Sequence, residues 1–117
     1  VNGESVDLAG FLLARIAEDE TAARAVLGEH EMYDWGSYLS VAGGYGFSAN
    51  LFAERFNPTR VLAECEAKRA IVQGHAETWE LGRGDYLEGV WRSEDHTIRL
   101  MAAVYGAHPD YRSEWAP

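Results

Sequence analysis

Three charged residues stand where apolar ones are expected. On a helical wheel of 100° per residue, Asp19 falls within the apolar stripe of the first helical stretch, Arg69 within that of the second and Glu94 within that of the third. An isolated ion moved into an apolar interior costs several kcal/mol, so such charges are expected to meet one another. The spacing predicts an ion network in which Arg69 bridges to Asp19, to Glu94 or to both. Its first use is to fix helix register. Its alternative use is chemical, with two inward carboxylates acting as acid and base beside a histidine.

The other reactive residue types form no known site. The four histidines are His30, His75, His96 and His108, and none belongs to an HExxH pair or to a Glu-x-x-His pair of di-iron type. No metal or cofactor is expected. Cys65 is the only cysteine, which excludes an internal disulfide, and its place on an apolar helical face makes it a small core residue. The serines lack the Gly-x-Ser-x-Gly setting of an activated nucleophile. Gly43-Gly44-Tyr45-Gly46 has neither the dinucleotide nor the P-loop pattern, and the only lysine is the distant Lys68. No catalytic residue is therefore assigned.

A second constellation is aromatic. Tyr33, Trp35, Tyr38, Tyr45 and Phe47 crowd one stretch, and Tyr111 and Trp115 follow near the C-terminus. Exposed aromatics anchor protein interfaces, so these residues are the candidate binding surface. The opposite use is equally open at this level: they fold over the helices as core.

The elements that must position these groups are helical. Leu8, Leu12, Ile16, Ala23, Val26 and Leu27 form one stripe, giving a helix over about 6–27 that Gly28 ends. Asn57-Pro58 is an N-cap followed by proline at the first helical position, opening a second helix over about 58–74. Val61, Leu62, Cys65, Val72 and Ala76 line its apolar side. Leu87, Trp91, Ile98, Met101, Ala102 and Tyr105 predict a third over about 86–105, which Gly106 and Pro109 stop. The insertion over about 29–56 mixes aromatics, β-branched residues and glycines. It is expected to be a small β-hairpin or an irregular loop, with a short helix over 48–56. The fold expected is mainly α, a three-helix core in one domain spanning 1–117.

Charge bounds the partners. The 117 residues carry a net charge of −9, and residues 1–34 hold eight acids against Arg15 and Arg24. Such a field repels phosphate backbones and disfavours nucleic acid, while attracting a basic protein. A DNA mimic is the further acidic alternative; it requires the carboxylates of residues 4–34 in an exposed, duplex-like row. No stretch has the ~20 apolar residues of a membrane span, and nothing has the order of a secretory signal. A cytoplasmic address is expected. A homodimer, in which a second copy completes the helical core, stays open.

His108-Pro109-Asp110 is superficially similar to the tripeptide of J-domain co-chaperones. The preceding helix, however, carries only Arg92 and Arg99 as basic residues, and seven residues after the tripeptide leave no room for a further helix. Three longer blocks carry a better resemblance. They are Phe11-Leu-Leu-Ala-Arg-Ile-Ala-Glu-Asp-Glu20 with Ala23-Arg24, Asn57-Pro-Thr-Arg-Val-Leu-Ala-Glu-Cys-Glu-Ala-Lys-Arg-Ala-Ile71, and Tyr105 to Pro117. In this order they resemble a domain-of-unknown-function family of small actinobacterial and actinophage proteins. The resemblance implies an intracellular bacterial or phage protein and implies no activity. The preferred function is a small interaction or regulatory protein without catalysis.

Overall fold

The structure, a computed structural model, describes residues 2–29, 47–81 and 85–117. It is mainly helical. Helix α1 spans Asn2–Glu29, α2 Phe47–Arg55, α3 Pro58–Leu81 and α4 Asp85–Ala103; a 3-10 turn, Ser113–Trp115, follows. No helix among the described residues is long and apolar enough to cross a membrane.

The start of α3 shows how local chemistry sets an element. The Asn57 carbonyl oxygen Oδ1 accepts from the Arg60 backbone N–H at 2.9 Å, and Pro58 occupies the position whose N–H has no helical partner. Asn57 Nδ2 donates back to the Glu54 carbonyl at 2.9 Å, so one side chain closes α2 and opens α3. The helix then passes through Gly74 and continues to Leu81. Glycine inside a helix costs about 1 kcal/mol relative to alanine, too little to end a helix by itself.

No strand occurs among the described residues, and the β-hairpin expected within 29–56 is not supported. Its described part, Phe47–Arg55, is helix, as the strong helix formers Leu51, Ala53, Glu54 and Arg55 favour. Residues 30–46 lie outside the described residues.

Chain contacts divide into two compact units, one of residues 1–16 with 67–117, the other of residues 17–66. The first unit buries Leu8, Phe11, Leu12 and Ile16 from α1, Val72 and His75 from α3, and Ile98 and Ala102 from α4. Trp115 joins this core from the C-terminal segment and is 2% exposed. The stripe on α1 is a straight i, i+4 row, Leu8–Leu12–Ile16, that advances to Glu20. In the second unit Ala23, Cys65, Pro58 and Glu20 are buried.

Helix α4 ends by tightening. Val104, Tyr105 and Gly106 each donate a backbone N–H to the carbonyl three residues before, at 2.9–3.3 Å. Gly106 suits the last of these turns, because a Cβ there would lie 3.1 Å from the Ala103 carbonyl oxygen. Two further turns, His108 to Tyr105 and Tyr111 to His108, bring the chain to the final 3-10 turn.

Candidate functional site

The side chains with chemical potential fall into three groups, two in the first unit and one in the second. The first is built on the C-terminal segment. Phe11 of α1 meets Tyr105, His108, Tyr111 and Trp115, with ring centroids 5.1–6.5 Å apart. Arg15, one helical turn on, lies 5.1 Å from the Phe11 centroid and is itself buried. Its Nη1 stands 3.0 and 2.7 Å from the two imidazole nitrogens of His108. The Asp110 backbone N–H donates to His108 Nδ1 at 3.0 Å, which makes that nitrogen an acceptor. The Asp110 carboxylate approaches Arg15 at 3.9 Å.

The segment is tied down at its far end as well. Arg112 donates to Asp7 at 2.9 Å and lies 5.2 Å from the Trp115 centroid, and Arg99 donates to the Glu114 carbonyl at 2.9 Å. His108-Pro109-Asp110 thus works as a structural corner. Trp115 was a candidate binding residue, but its side chain faces the core and offers a partner almost no surface. Tyr111 is half-buried against Phe11 and Trp115.

The second group surrounds His75, a residue whose burial the sequence pattern did not single out. It is 3% exposed and stacks on Trp91, with centroids 5.0 Å apart at 26°. Its Nδ1 faces Glu94 Oε1 at 3.7 Å and its Nε2 faces Asp95 Oδ1 at 3.6 Å. These distances lie beyond hydrogen bonding, and none of the four atoms has a hydrogen-bond partner among the described residues. The other Asp95 oxygen accepts from Arg99 Nε at 2.8 Å. The two imidazole edges point at different carboxylates, so one ion cannot be held by all three residues. Among the described residues no group of three His, Cys, Asp or Glu could hold a metal.

Of the expected ion network, Asp19, Arg69 and Glu94 are each half-buried. Glu94 is set against His75. Beside Asp19, it is Glu20 that is buried, 3.8 Å from Arg24. Glu20 continues the Leu8–Leu12–Ile16 row, and Asp19 lies in the parallel row of Phe11, Arg15 and Ala23, whose other members are buried.

The third group is exposed. Phe52 and Phe56 stack at 4.7 Å and 27° on one side of α2, one helical turn apart. They are 65% and 44% exposed, and Leu51 beside them is 50% exposed. An open groove of about 510 Å³ is lined by Leu51, Phe52, Glu54, Arg55 and Phe56. The rings are held in place. Phe56 donates its backbone N–H to the Phe52 carbonyl at 2.9 Å, and the Arg60 guanidinium lies 4.2 Å from the Phe56 centroid. Arg60 is fixed in turn by Glu64 at 2.8 Å and by the Arg55 carbonyl at 3.2 Å.

This aromatic pair was not among the residues expected to bind. The signal was present as Phe-x-x-x-Phe directly before the Asn57 cap. The candidate residues Tyr33, Trp35, Tyr38 and Tyr45 lie outside the described residues.

The fold and its groups define a small, mainly helical domain with a locked C-terminal segment and an exposed aromatic groove. A family model described as "Family of unknown function (DUF6221)" matches residues 5–117, and the chain belongs to that family. No curated protein and no solved structure matches it.

Proposed function

We propose that this is a small non-catalytic protein-interaction module and that the α2 groove is its docking surface. The observation that carries this is the exposed, pre-organised Phe52–Phe56 pair. Contiguous exposed apolar surface marks binding sites, and aromatic residues dominate the energetics of interfaces. Rings already held by Arg60 and the Asn57 cap lose little further freedom on binding. His75 facing Glu94 and Asp95 is the arrangement that a catalytic reading would need, but its ring is 3% exposed and leaves a substrate almost no access. The actinobacterial or phage origin and cytoplasmic setting implied by the three sequence blocks belong to the same proposal.

Affinity capture from an actinobacterial lysate, run in parallel with wild-type protein and with Phe52→Ser/Phe56→Ser, tests it. A stoichiometric partner retained by the first and lost by the second is expected. Equal recovery by both proteins would move the binding surface elsewhere. Failure of the wild type to retain any partner would defeat the proposal.

A further inference from the structure

We infer that the occupant of the α2 groove is a basic amphipathic helix of another protein, an inference that rests on the groove being a docking surface. Its shape argument begins with the helix that lines it. Phe52 and Phe56 are separated by one turn, and Leu51 widens the apolar strip to one side. A row of this kind packs against the i, i+4 ridge of a second helix, whose apolar side chains enter the groove.

Charge selects among helices. Residues 17–66, the unit that contains α2, hold nine acids against three arginines. Two of those arginines are engaged within the unit: Arg24 with Glu20 at 3.8 Å, and Arg60 with Glu64 at 2.8 Å and the Phe56 ring. The groove wall itself carries one exposed acid, Glu54, and one exposed base, Arg55, so the net negative field comes from the rest of the unit, where Glu18 of α1 and Glu66 of α3 are exposed. An acidic partner meets a repulsive field; a second copy brings another −9 to the first. A helix with Lys or Arg flanking its apolar row gains attraction during approach and loses least on contact.

The test uses the full chain and two fluorescein-labelled helical peptides. Both carry Leu along one i, i+4 face; one has Lys on the remaining positions and the other has Glu. Fluorescence anisotropy is expected to show the Lys peptide binding at least about tenfold more tightly than the Glu peptide. The preference should shrink as salt rises. Phe52→Ser/Phe56→Ser should cost the Lys peptide about tenfold or more in affinity. Leu51→Gln serves as a second variant, and circular dichroism checks that both variants stay folded.

Equal binding of the Lys peptide by wild type and by both groove variants would overturn the inference, because the attraction would then be charge alone. Tighter binding of the Glu peptide, lost in the groove variants, would overturn the basic partner while leaving the docking surface intact. Failure of both peptides to bind would overturn the inference, with the docking surface then judged by the lysate comparison. Sedimentation of the protein alone supplies the last arm. Self-association that disappears in Phe52→Ser/Phe56→Ser would make a second copy the occupant and exclude the basic helix.

Discussion

Phe11 and Phe56 begin from the same local pattern. Each is followed four residues later by an arginine, and in each case that guanidinium lies over the ring, at 5.1 Å for Arg15 and 4.2 Å for Arg60. Their fates differ. Phe11 is 8% exposed and Phe56 is 44% exposed. Phe11 receives Tyr105, His108, Tyr111 and Trp115 from a segment almost the whole chain away in sequence, whereas the described ring partner of Phe56 is Phe52, four residues before it. The difference teaches that an i, i+4 Phe–Arg pair is a neutral building block. Distant chain decides whether it becomes core or surface.

Substitutions can break that contrast, and the largest effect should come from the buried side. Trp115→Ala removes a ring that is 2% exposed, and an unfolding free-energy loss of about 3–5 kcal/mol is expected. Removing Asp110–Pro117 should cost at least as much, since the Arg112–Asp7 and Arg99–Glu114 contacts go with it. Urea denaturation followed by circular dichroism measures both. An unchanged midpoint for the truncated chain would show that Phe11 is not held by the segment and would erase the distinction between the two phenylalanines.

Arg15→Ala comes next. It strips a buried guanidinium from His108 and from the Phe11 face, and a loss of about 1–3 kcal/mol is expected in the same assay. Its counterpart Arg60→Ala, on a partly exposed site, should cost well under that. Similar losses for the two would mean that the environments are less different than their exposures indicate.

The Asn57 cap separates local from distant control. Asn57→Ala removes the acceptor for the Arg60 N–H, and about 1 kcal/mol should be lost. Asn57→Asp keeps an acceptor at that site and should retain most of the stability. Equal losses for the two would show that the cap bond is not what sets this junction.

The smallest change in stability should come from Phe52→Ser, within about 0.5 kcal/mol of wild type, because the ring is 65% exposed. Its effect on partner binding should nevertheless be the largest of the set. A stability loss comparable to that of Trp115→Ala would place Phe52 in a core and remove the docking surface.

Much of this was legible in advance. Of the positions that the apolar rows marked inward, Leu8, Leu12, Ile16, Ala23, Cys65, Val72, Ile98 and Ala102 are buried, whereas Leu27 and Ala76, toward the ends of their rows, are exposed. Asn57-Pro58 located the start of α3 from its capping chemistry alone. Other positions needed long-range information. Helical spacing marked Asp19 as inward and the structure leaves it half-buried, while the adjacent Glu20 is covered more fully, a distinction that depends on what packs against each and not on spacing. His75 lies one turn before Trp79 and two residues from Gln73 in a mixed sequence, and only the arrival of Trp91, Glu94 and Asp95 from α4 makes it a buried polar centre.

The sequence by itself determined the approximate spans of the long helices, the capped and proline-marked start of α3, the acidic field and a family of unknown function, because those follow from neighbours within one or two turns and from composition. Tertiary structure decided which aromatic rings are hidden and which are offered. Burial depends on what distant segments bring against a ring: the C-terminal segment closes over Phe11, and Phe52 and Phe56 keep an open face.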